Sequence, residues 1–144
     1  MRTVIARFGI ILSKKGGALP PMLTPFKLGV GGRLGSGKQW MSWVALDDAV
    51  TALRQAINDP AMRGPINVVA PNPARNAEFT QVLARVLHRP AIFPAPAFAL
   101  RLILGEMADA LLLSSQRVLP EKLTQQRFQF QYADLEAALR RAIQ

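Results

Sequence analysis

The sequence predicts an α/β fold that is rich in helices and has an incomplete parallel sheet. The first observation is a nearly continuous apolar and β-branched segment, Thr3–Leu12, of the kind that is buried on both faces of a parallel sheet. The second is a shorter segment of the same type, Ile66–Ala70, which follows an amphipathic helical stretch. The third is that the first segment has no earlier segment with which to pair, so the sheet is expected to lack a strand.

Between the two predicted strands the sequence predicts two helices separated by a loop. Prolines at positions 20 and 21 are typical of a helix start within the apolar residues 18–28. A glycine-rich loop, Gly29–Lys38, follows and leads into an apolar and aromatic stretch. From Asp47 the spacing is helical, and Asp47 is the predicted N-cap. The residues that share one face of this helix are Leu46, Ala49, Val50, Leu53 and Ile57.

After the second strand the chain is predicted to be mainly helical. A helix begins at Asn76 and ends before Pro90, with an apolar stripe of Phe79, Val82, Leu83, Val86 and Leu87. The remaining predicted elements are a short strand at Ala91–Phe93, an amphipathic helix within Pro96–Leu113, and helices over Glu121–Arg127 and Asp134–Ile143. Two parts are expected: residues 1–60, with a core strand, the glycine-rich loop and a helix, and residues 61–144, a small α/β lobe.

The composition excludes several kinds of chemistry. The 144 residues include no cysteine, which excludes disulfides, thiolate metal sites and cysteine nucleophiles, and the single histidine argues against a histidine-based metal site. The net charge is +9, and the first 46 residues carry seven cations and no acid. The charge excess is therefore local, and an anionic partner is expected on that part of the chain. Its cations are Arg2, Arg7, Lys14, Lys15, Lys27, Arg33 and Lys38.

The apolar stretches predict neither export nor a membrane span. The first stretch contains Arg7 and has no small-residue cleavage pattern after it, so a cytoplasmic protein is expected. The longest apolar tract, Pro96–Leu113, contains Arg101, Glu106 and Asp109. On a helix these three charges fall on a single side, which is typical of an amphipathic helix and not of a membrane span.

The glycine-rich loop fits the start of a phosphate-binding P-loop, G-x-x-x-x-G-K, over Gly32–Lys38. However, Gln39 stands where a P-loop has Ser or Thr, and the loop does not run from a buried strand into a helix. Leu34 likewise stands where a dinucleotide fingerprint has its third glycine. Two interpretations remain: a crossing loop whose glycines allow positive φ, and a loop that closes over a substrate with Arg33 and Lys38 available to an anion.

The other chemistry-bearing residues are explained more simply by structural roles. Asp47 and Asp48 are typical of a helix start, which is a simpler explanation than acid/base chemistry or metal binding. Tryptophans placed like Trp40 and Trp43 more often cover the edge of a hydrophobic core than line a pocket. His88 lies at a predicted helix end, and no Ser/His/Asp arrangement can be assembled around it.

Short segments spread along the chain, read together and in order, form a combination that is specific enough to indicate a protein family. Those in the first half are Ala6–Ser13, Gly16–Leu19, Gly29–Gln39, Trp40–Val44 and Asp47–Asp48. Those in the second half are Gly64–Pro73, His88–Pro90, Pro94–Phe98, Leu104–Met107 and Arg117–Pro120. The combination resembles the atypical extended short-chain dehydrogenase/reductases, the NAD-dependent epimerase/dehydratase-like group of nucleoside-diphosphate-sugar epimerases with a small C-terminal domain of unknown function. The resemblance covers essentially the whole chain.

The resemblance implies an incomplete Rossmann-type fold, with the C-terminal crossover strand and the substrate-binding lobe of such an enzyme. It also implies NAD or NADP as the cofactor and a nucleotide-sugar-like small molecule as the substrate. The family's glycine-rich cofactor loop and its Tyr-x-x-x-Lys pair are absent, since Tyr132 is followed four residues later by Glu136. A truncated chain without catalytic residues is therefore expected. It would be inactive alone, and would be completed by an N-terminal Rossmann half or associate with itself through its exposed strand edge.

The resemblance also implies which residues bind substrate. Arg7 and Gly9, at the carboxyl end of the first strand, would border the nicotinamide and the substrate pocket. The residues of the segment that would close over the substrate are Gly35, Lys38, Gln39, Trp40 and Ser42. The alternative is a small basic module that binds nucleic acid or another polyanion through the first 46 residues. The cations are spaced singly, without the runs typical of such modules, so nucleic acid is the less favoured partner.

Overall fold

Five helices and six short strands make up the described part of the computed structural model, which comprises residues 1–95 and 115–144 together with 98, 101–102, 105–106 and 113. The strands are β1 (Val4–Phe8), β2 (Ile10–Leu12), β3 (Trp40–Met41), β4 (Trp43–Ala45), β5 (Gly64–Val68) and β6 (Ala74–Arg75). The helices are α1 (Leu19–Lys27), α2 (Leu46–Asn58), α3 (Asn76–Leu87), α4 (Glu121–Gln125) and α5 (Leu135–Ile143). The predicted helix-rich α/β fold is confirmed.

The long first strand of the prediction is divided at Gly9 into β1 and β2. β1 runs parallel to β5 as far as Phe8, which lies opposite Val68, whereas β2 runs parallel to β4. A Cβ atom at Gly9 would lie 2.5 Å from the carbonyl oxygen of Ser42. Glycine is therefore required where the chain changes its strand neighbour, and the prediction of one uninterrupted strand is wrong.

Only one face of β1 is covered by described residues. Val4 and Ala6 pack against an apolar cluster that includes the buried Ile66. In contrast, Ile5 and Arg7, which lie on the opposite face, are exposed, Ile5 to 53%. The predicted burial of this strand on both faces is therefore wrong.

The strand that is buried on both faces is β4. Trp43 and Ala45 belong to one apolar cluster, formed with α1, α3 and α5, and Val44 belongs to a second cluster, formed with α2, α4 and β5. Successive residues of a strand point to opposite faces, so β4 lies between the two clusters. Both clusters contain residues from the predicted parts 1–60 and 61–144, and the β1–β5 pair joins those parts.

Helix α2 presents its small residues to the core. Its buried residues are Asp48, Ala49, Ala52 and Ala56, and its larger apolar residues, Leu46, Val50, Leu53 and Ile57, are exposed. The predicted N-cap role of Asp47 is wrong, because the helix begins at Leu46 and Ala45 occupies the N-cap position with extended backbone. Asp48, and not Asp47, lies on the buried face.

Helices α3 and α5 confirm their predictions. α3 begins at Asn76 and ends at His88, whose left-handed backbone (φ 55°) terminates the helix. α5 has Asp134 at its N-cap, where a carboxylate oxygen accepts a hydrogen bond from the backbone N–H of Ala137 at 3.0 Å. The predicted helix over Glu121–Arg127 is confirmed as the shorter α4.

The third predicted strand, Ala91–Phe93, is wrong. These residues form no strand, and the neighbouring Ala95 makes an isolated parallel bridge with Leu34. Pro90 and Pro94 flank the segment and have no backbone N–H to donate to a ladder, which explains the loss of regular pairing. The helix predicted within 96–113 lies largely outside the described residues, and among the helices that are described none has the length and apolar character needed to cross a bilayer.

One of the N-terminal cations has a structural role at the end of α2. The guanidinium of Arg2 donates hydrogen bonds to the carbonyl oxygens of Ala56, Ile57, Asp59 and Met62 at 2.7 to 3.1 Å. The last carbonyls of a helix lack partners within the helix and carry partial negative charge. Arg2 therefore caps the carboxyl end of α2, and its charge is used within the fold.

Candidate functional site

The candidate site begins where the chain changes strand neighbour at Gly9. The parallel strands β1 and β5 end together at Phe8 and Val68, and beyond that point the N–H of Ile10 donates to the carbonyl of Ser42 at 2.8 Å. Ligands of open α/β sheets bind at the carboxyl ends of strands where such a change occurs. The structure thus brings together Gly9 and Ser42, two of the predicted site residues.

Arg7 lies at the same edge, one residue before the end of β1. Its side chain is exposed, and it makes no hydrogen bond or ion pair with any part of the chain that the structure describes. In the β1–β5 register it lies opposite Asn67. Arg7 is therefore available to a ligand, although no contact joins it to the glycine-rich loop.

The glycine-rich loop is fixed on the start of α3. The carbonyl oxygens of Gly37 and Gln39 accept hydrogen bonds from the backbone N–H groups of Ala77 and Asn76, both at 2.9 Å. The Oδ1 atom of Asn76 accepts a further bond from the N–H of Leu34 at 2.7 Å. The loop therefore presents carbonyls to the helix start, the reverse of a P-loop, whose N–H groups face a phosphate.

The other side of the loop is held by the segment around Ala95. The N–H of Ala95 donates to the carbonyl of Arg33 at 2.9 Å, and the N–H of Gly35 donates to the carbonyl of Ala95 at 2.8 Å. A Cβ at Gly32 would lie 2.1 Å from the carbonyl oxygen of Phe93. Hydrogen bonds on both sides give the loop one defined conformation, with Gly35 in the left-handed region (φ 57°).

Two predicted site residues use their side chains within the chain itself. Gln39 is buried, and its Nε2 donates to the carbonyl of Leu34 at 3.0 Å. The buried hydroxyl of Ser42 donates to the carbonyl of Gln116 at 2.8 Å and accepts from the N–H of Val118 at 2.9 Å. Both side chains hold the site in shape, and Ser42 fixes the segment that contains Arg117.

Two arginines lie over the indole ring of Trp40. The guanidinium carbon of Arg75 is 4.9 Å from the centre of the indole, and that of Arg117 is 5.2 Å from it. Arg75 is the antiparallel partner of Trp40 in the β3–β6 pair, and the N–H of Gln116 donates to the carbonyl of Trp40 at 3.1 Å. Sequence reasoning assigned neither arginine to the site: Arg117 was noted only as part of the segment Arg117–Pro120, Arg75 lies in no motif, and both come from segments distant from Trp40.

Lys38 adds a further exposed cation, two residues before Trp40. Its backbone N–H donates to the hydroxyl of Ser36 at 3.2 Å, and within the described ranges its ammonium group has no partner. Arg7, Arg75 and Arg117 are exposed cations like Lys38. The region is therefore suited to an anionic ligand.

The acidic residues near the start of α2 do not form a metal site. Asp47 accepts a hydrogen bond from Nε of Arg141 at 3.2 Å, and this bond raises the pKa of Arg141. Asp48 is 1% exposed and accepts two backbone hydrogen bonds. Among the described residues no group of histidine and carboxylate side chains could hold a metal ion.

A parallel sheet whose ligand edge lies at a change of strand neighbour defines part of a Rossmann-type α/β protein. A family model described as a domain of unknown function (DUF1731) matches residues 95–142. The chain is 46% identical over 143 residues to the epimerase family protein YfhF of Bacillus subtilis (strain 168), covering 99% of this chain and 46% of the relative. It is 48% identical over 138 residues to the epimerase family protein MW0731 of Staphylococcus aureus (strain MW2), covering 96% and 46%.

Solved structures agree with these sequence comparisons. Human epimerase family protein SDR39U1 (isoform 2), solved with NADPH, matches with a TM-score of 0.92 and 36% identity over 98% of this chain and 48% of that one. A nucleoside-diphosphate sugar epimerase from Corynebacterium glutamicum matches with a TM-score of 0.74 and 37% identity over 96% of this chain and 25% of that one. The chain resembles the C-terminal part of an extended short-chain dehydrogenase/reductase of the epimerase family. It spans about half the length of the curated relatives it matches.

Proposed function

We propose that the chain is the substrate-binding part of an NAD(P)-dependent nucleotide-sugar epimerase or reductase-like protein and is inactive alone. The observation that carries this proposal is the change of strand neighbour at Gly9, which sets the carboxyl end of β1 beside Ser42. The similarity to epimerase family proteins over half of their length supports it. The absence of a Tyr-x-x-x-Lys pair from this sequence supports the inactivity.

Each predicted site residue then has a distinct task. The exposed cations Arg7 and Lys38 attract and orient an anionic substrate, while Gly9 allows the strand ends to meet. Gly35 supplies the left-handed turn of the loop that closes over the substrate. The remaining residues, Gln39, Trp40 and Ser42, hold the loop and its neighbouring strands in one geometry.

The residues present suit one side of a nicotinamide-binding site and do not form a complete site. The N–H groups of the glycine-rich loop at Gly35 and Gly37 are bonded to carbonyls of the chain, so this loop cannot cradle a dinucleotide phosphate. When bound, the dinucleotide supplies or accepts a hydride. Arg7 and Gly9, at the carboxyl end of β1, would border the nicotinamide, and the rest of its site would come from the other half of the protein.

The partner that we propose for β1 is the missing N-terminal Rossmann half. Ile5 and Phe8 are exposed, and one edge of β1 is unpaired among the described residues. In a complete Rossmann-type sheet an added strand and helix bury such side chains and pair with such an edge. Without that half, we propose that two copies of the chain associate through the same edge. The expected cellular location is the cytoplasm.

The experiment compares the chain alone with the chain joined behind the N-terminal part of the Bacillus subtilis relative. Calorimetry with NADPH and with a UDP-sugar measures binding. The joined protein is expected to bind both ligands, and the chain alone is expected to show no hydride transfer from NADPH. A joined protein that binds NADPH but no nucleotide sugar would contradict the substrate class. Hydride transfer by the chain alone would contradict the inactivity.

A matched control shows whether the predicted residues act on the ligand. Arg7→Gln in the joined protein is expected to weaken nucleotide-sugar binding. Arg54→Gln removes the same charge from an exposed position on α2, away from the site, and is expected to leave binding unchanged. Equal affinities of the two variants would remove Arg7 from the site.

A further inference from the structure

Large apolar side chains are exposed in two segments of the chain, one that follows α1 and one that follows α3. A single exposed apolar residue is ordinary, but several close together mark a surface that contacts another apolar phase. Phe93 is 53% exposed and Leu102 is 82% exposed. The full set is Leu28, Val30, Ile92, Phe93, Phe98 and Leu102.

Backbone contacts join the two segments. The N–H of Phe93 donates to the carbonyl of Gly31 at 3.2 Å, and the closest approach of the two backbones is at Gly32, opposite Phe93. The segments therefore run side by side just after the ends of α1 and α3. Ile92 and Phe93 are successive residues and both are exposed, so neither is covered by the described part of the chain.

The charged residues of the same segments are cations. Lys27 ends α1 and Arg89 follows the end of α3, and neither forms an ion pair within the described ranges. Arg33 is a further exposed cation on the first segment, which contains no acidic residue. In the second segment the sequence has no acid between Glu78 and Glu106. The exposed apolar side chains are thus accompanied by positive charge.

We call residues 27–33 and 89–93, together with Phe98 and Leu102, the basic apolar surface. Its combination of exposed apolar side chains and exposed cations suits a partner that is both apolar and anionic. A bilayer that contains anionic lipids has this chemistry, because its acyl chains take up apolar side chains while its headgroups attract Lys and Arg. A nucleic acid would use the cations alone and leave the apolar side chains in water.

The basic apolar surface is separate from the strand edge that we assign to the missing half of the protein. Leu23 and Phe26 of α1 belong to the first apolar cluster, whereas Val4 and Ala6 of β1 pack against the second. Continuation of the sheet beside β1 therefore does not require contact with the surface that follows α1.

We propose that the basic apolar surface binds bilayers that contain anionic lipids. Ile92 and Phe93 enter the headgroup region, and Lys27 and Arg89 lie close to the negative headgroups. The contact is peripheral, and no segment crosses the bilayer. Apolar burial and charge attraction act together, so the removal of either one weakens binding. This role adds to the proposed substrate binding and does not depend on it.

The experiment measures flotation of the 144-residue chain and of the joined protein described above with lipid vesicles. The vesicles contain phosphatidylcholine alone or phosphatidylcholine with phosphatidylserine. Both proteins are expected to float with the phosphatidylserine vesicles and to bind the neutral vesicles roughly tenfold more weakly or less. Flotation separates bound protein from self-associated chains, which sink.

Two double variants test the two contributions. Ile92→Ser with Phe93→Ser is expected to weaken binding to phosphatidylserine vesicles roughly tenfold or more, because the apolar side chains are lost. Lys27→Gln with Arg89→Gln is expected to weaken binding roughly thirtyfold at low salt, and less at high salt, where charges are screened.

Matched substitutions on and after α2 are the controls. Leu53→Ser with Ile57→Ser removes two exposed apolar side chains, and Arg54→Gln with Arg63→Gln removes two exposed cations. Both are expected to bind vesicles as the unmodified protein does. Losses equal to those of the first two variants would show that total charge and apolar content, and not the basic apolar surface, attract the vesicles, and would overturn the proposal.

Three further results would overturn it. The first is equal binding to neutral and anionic vesicles, and the second is unchanged binding in both variants of the basic apolar surface. The third is binding by the chain alone but not by the joined protein, which would show that the other half covers this surface. Circular dichroism of each variant is expected to show the native spectrum, because the substituted side chains are exposed. Phe93→Ser alone is the milder variant if a double substitution disturbs the fold.

Discussion

Asp48 accepts a hydrogen bond at its Oδ2 atom from the backbone N–H of Tyr132, at 3.0 Å. Its Oδ1 atom accepts from the N–H of Gln131 at 2.8 Å, and the residue is 1% exposed. The carboxylate therefore ties the first turn of α2 to the segment that leads into α5. A buried charge of this kind is tolerated only when it is fully hydrogen-bonded.

Asp48→Ala is expected to lower the free energy of unfolding by about 3 kcal/mol, because two backbone donors lose a charged acceptor in a buried position. Asp48→Asn keeps one acceptor and is expected to lose less. Urea denaturation measures both changes. The control is Asp47→Asn, which breaks a largely exposed ion pair with Arg141 and is expected to cost less than Asp48→Ala. A larger cost for Asp47→Asn than for Asp48→Ala would contradict this account.

Gly9→Ala tests the point where the chain changes strand neighbour. The added methyl group would lie 2.5 Å from the carbonyl oxygen of Ser42, which belongs to backbone and cannot move alone. The expected loss is about 1–3 kcal/mol of unfolding free energy, as for other overpacked sites. Gly16→Ala is the control, since a Cβ there meets nothing within 4 Å. Similar thermal midpoints for the two variants would show that the close approach is not restrictive.

The helices could be predicted from the sequence because their periodicity depends on local residues. The burial of β1 could not, since it depends on which strands lie beside it. The start of α2 shows a smaller error of the same origin. Asp47 has the sequence context of an N-cap, but the helix begins two residues earlier than that role requires, at Leu46, and it is Asp48 that is buried.

The candidate site was only partly predictable. Trp40 and Ser42 lie beside a recognisable glycine-rich loop, which draws attention to them. Arg75 and Arg117 reach Trp40 through the β3–β6 pair and through the hydrogen bonds of Ser42. Such long-range contacts leave no periodic signal in the sequence, so the pairing of these residues emerges only from the fold.

Arg2→Ala is expected to destabilise the chain by about 1–2 kcal/mol, because a charged donor is removed from the carboxyl end of α2. Four carbonyl oxygens lose a partner in this variant. Thermal denaturation measures the change, and Arg54→Ala, at an exposed position of the same helix, is the control. High salt is expected to weaken the contribution of Arg2 only in part, since direct hydrogen bonds remain when charges are screened. Equal stabilities of the two variants would argue against the capping role.

Asn76→Ala is expected to loosen the glycine-rich loop more than it unfolds the protein. Asn76 is 1% exposed, and its Oδ1 accepts from the N–H of Leu34. Its loss leaves that N–H without a partner, at a cost of about 1–3 kcal/mol. Hydrogen exchange is the measurement: the amide of Leu34 should exchange faster, while amides in β5 keep their protection. Uniformly faster exchange throughout the chain would show that Asn76 supports the whole fold and not the loop in particular.

One edge of β1 has no strand partner among the described residues, and this edge predicts the behaviour of the isolated chain. An unpaired strand edge with exposed apolar side chains is a template for pairing with another copy, so light scattering is expected to show a mass that rises above 15.8 kDa with concentration. Ile5→Lys places a charge on this strand and is expected to restore the monomer. Val50→Lys places the same charge on the exposed apolar stripe of α2 and is expected to leave association unchanged. If Val50→Lys alone restores the monomer, the contact between copies is made by α2. A chain that is monomeric at every concentration would show that the edge of β1 does not pair with a second copy.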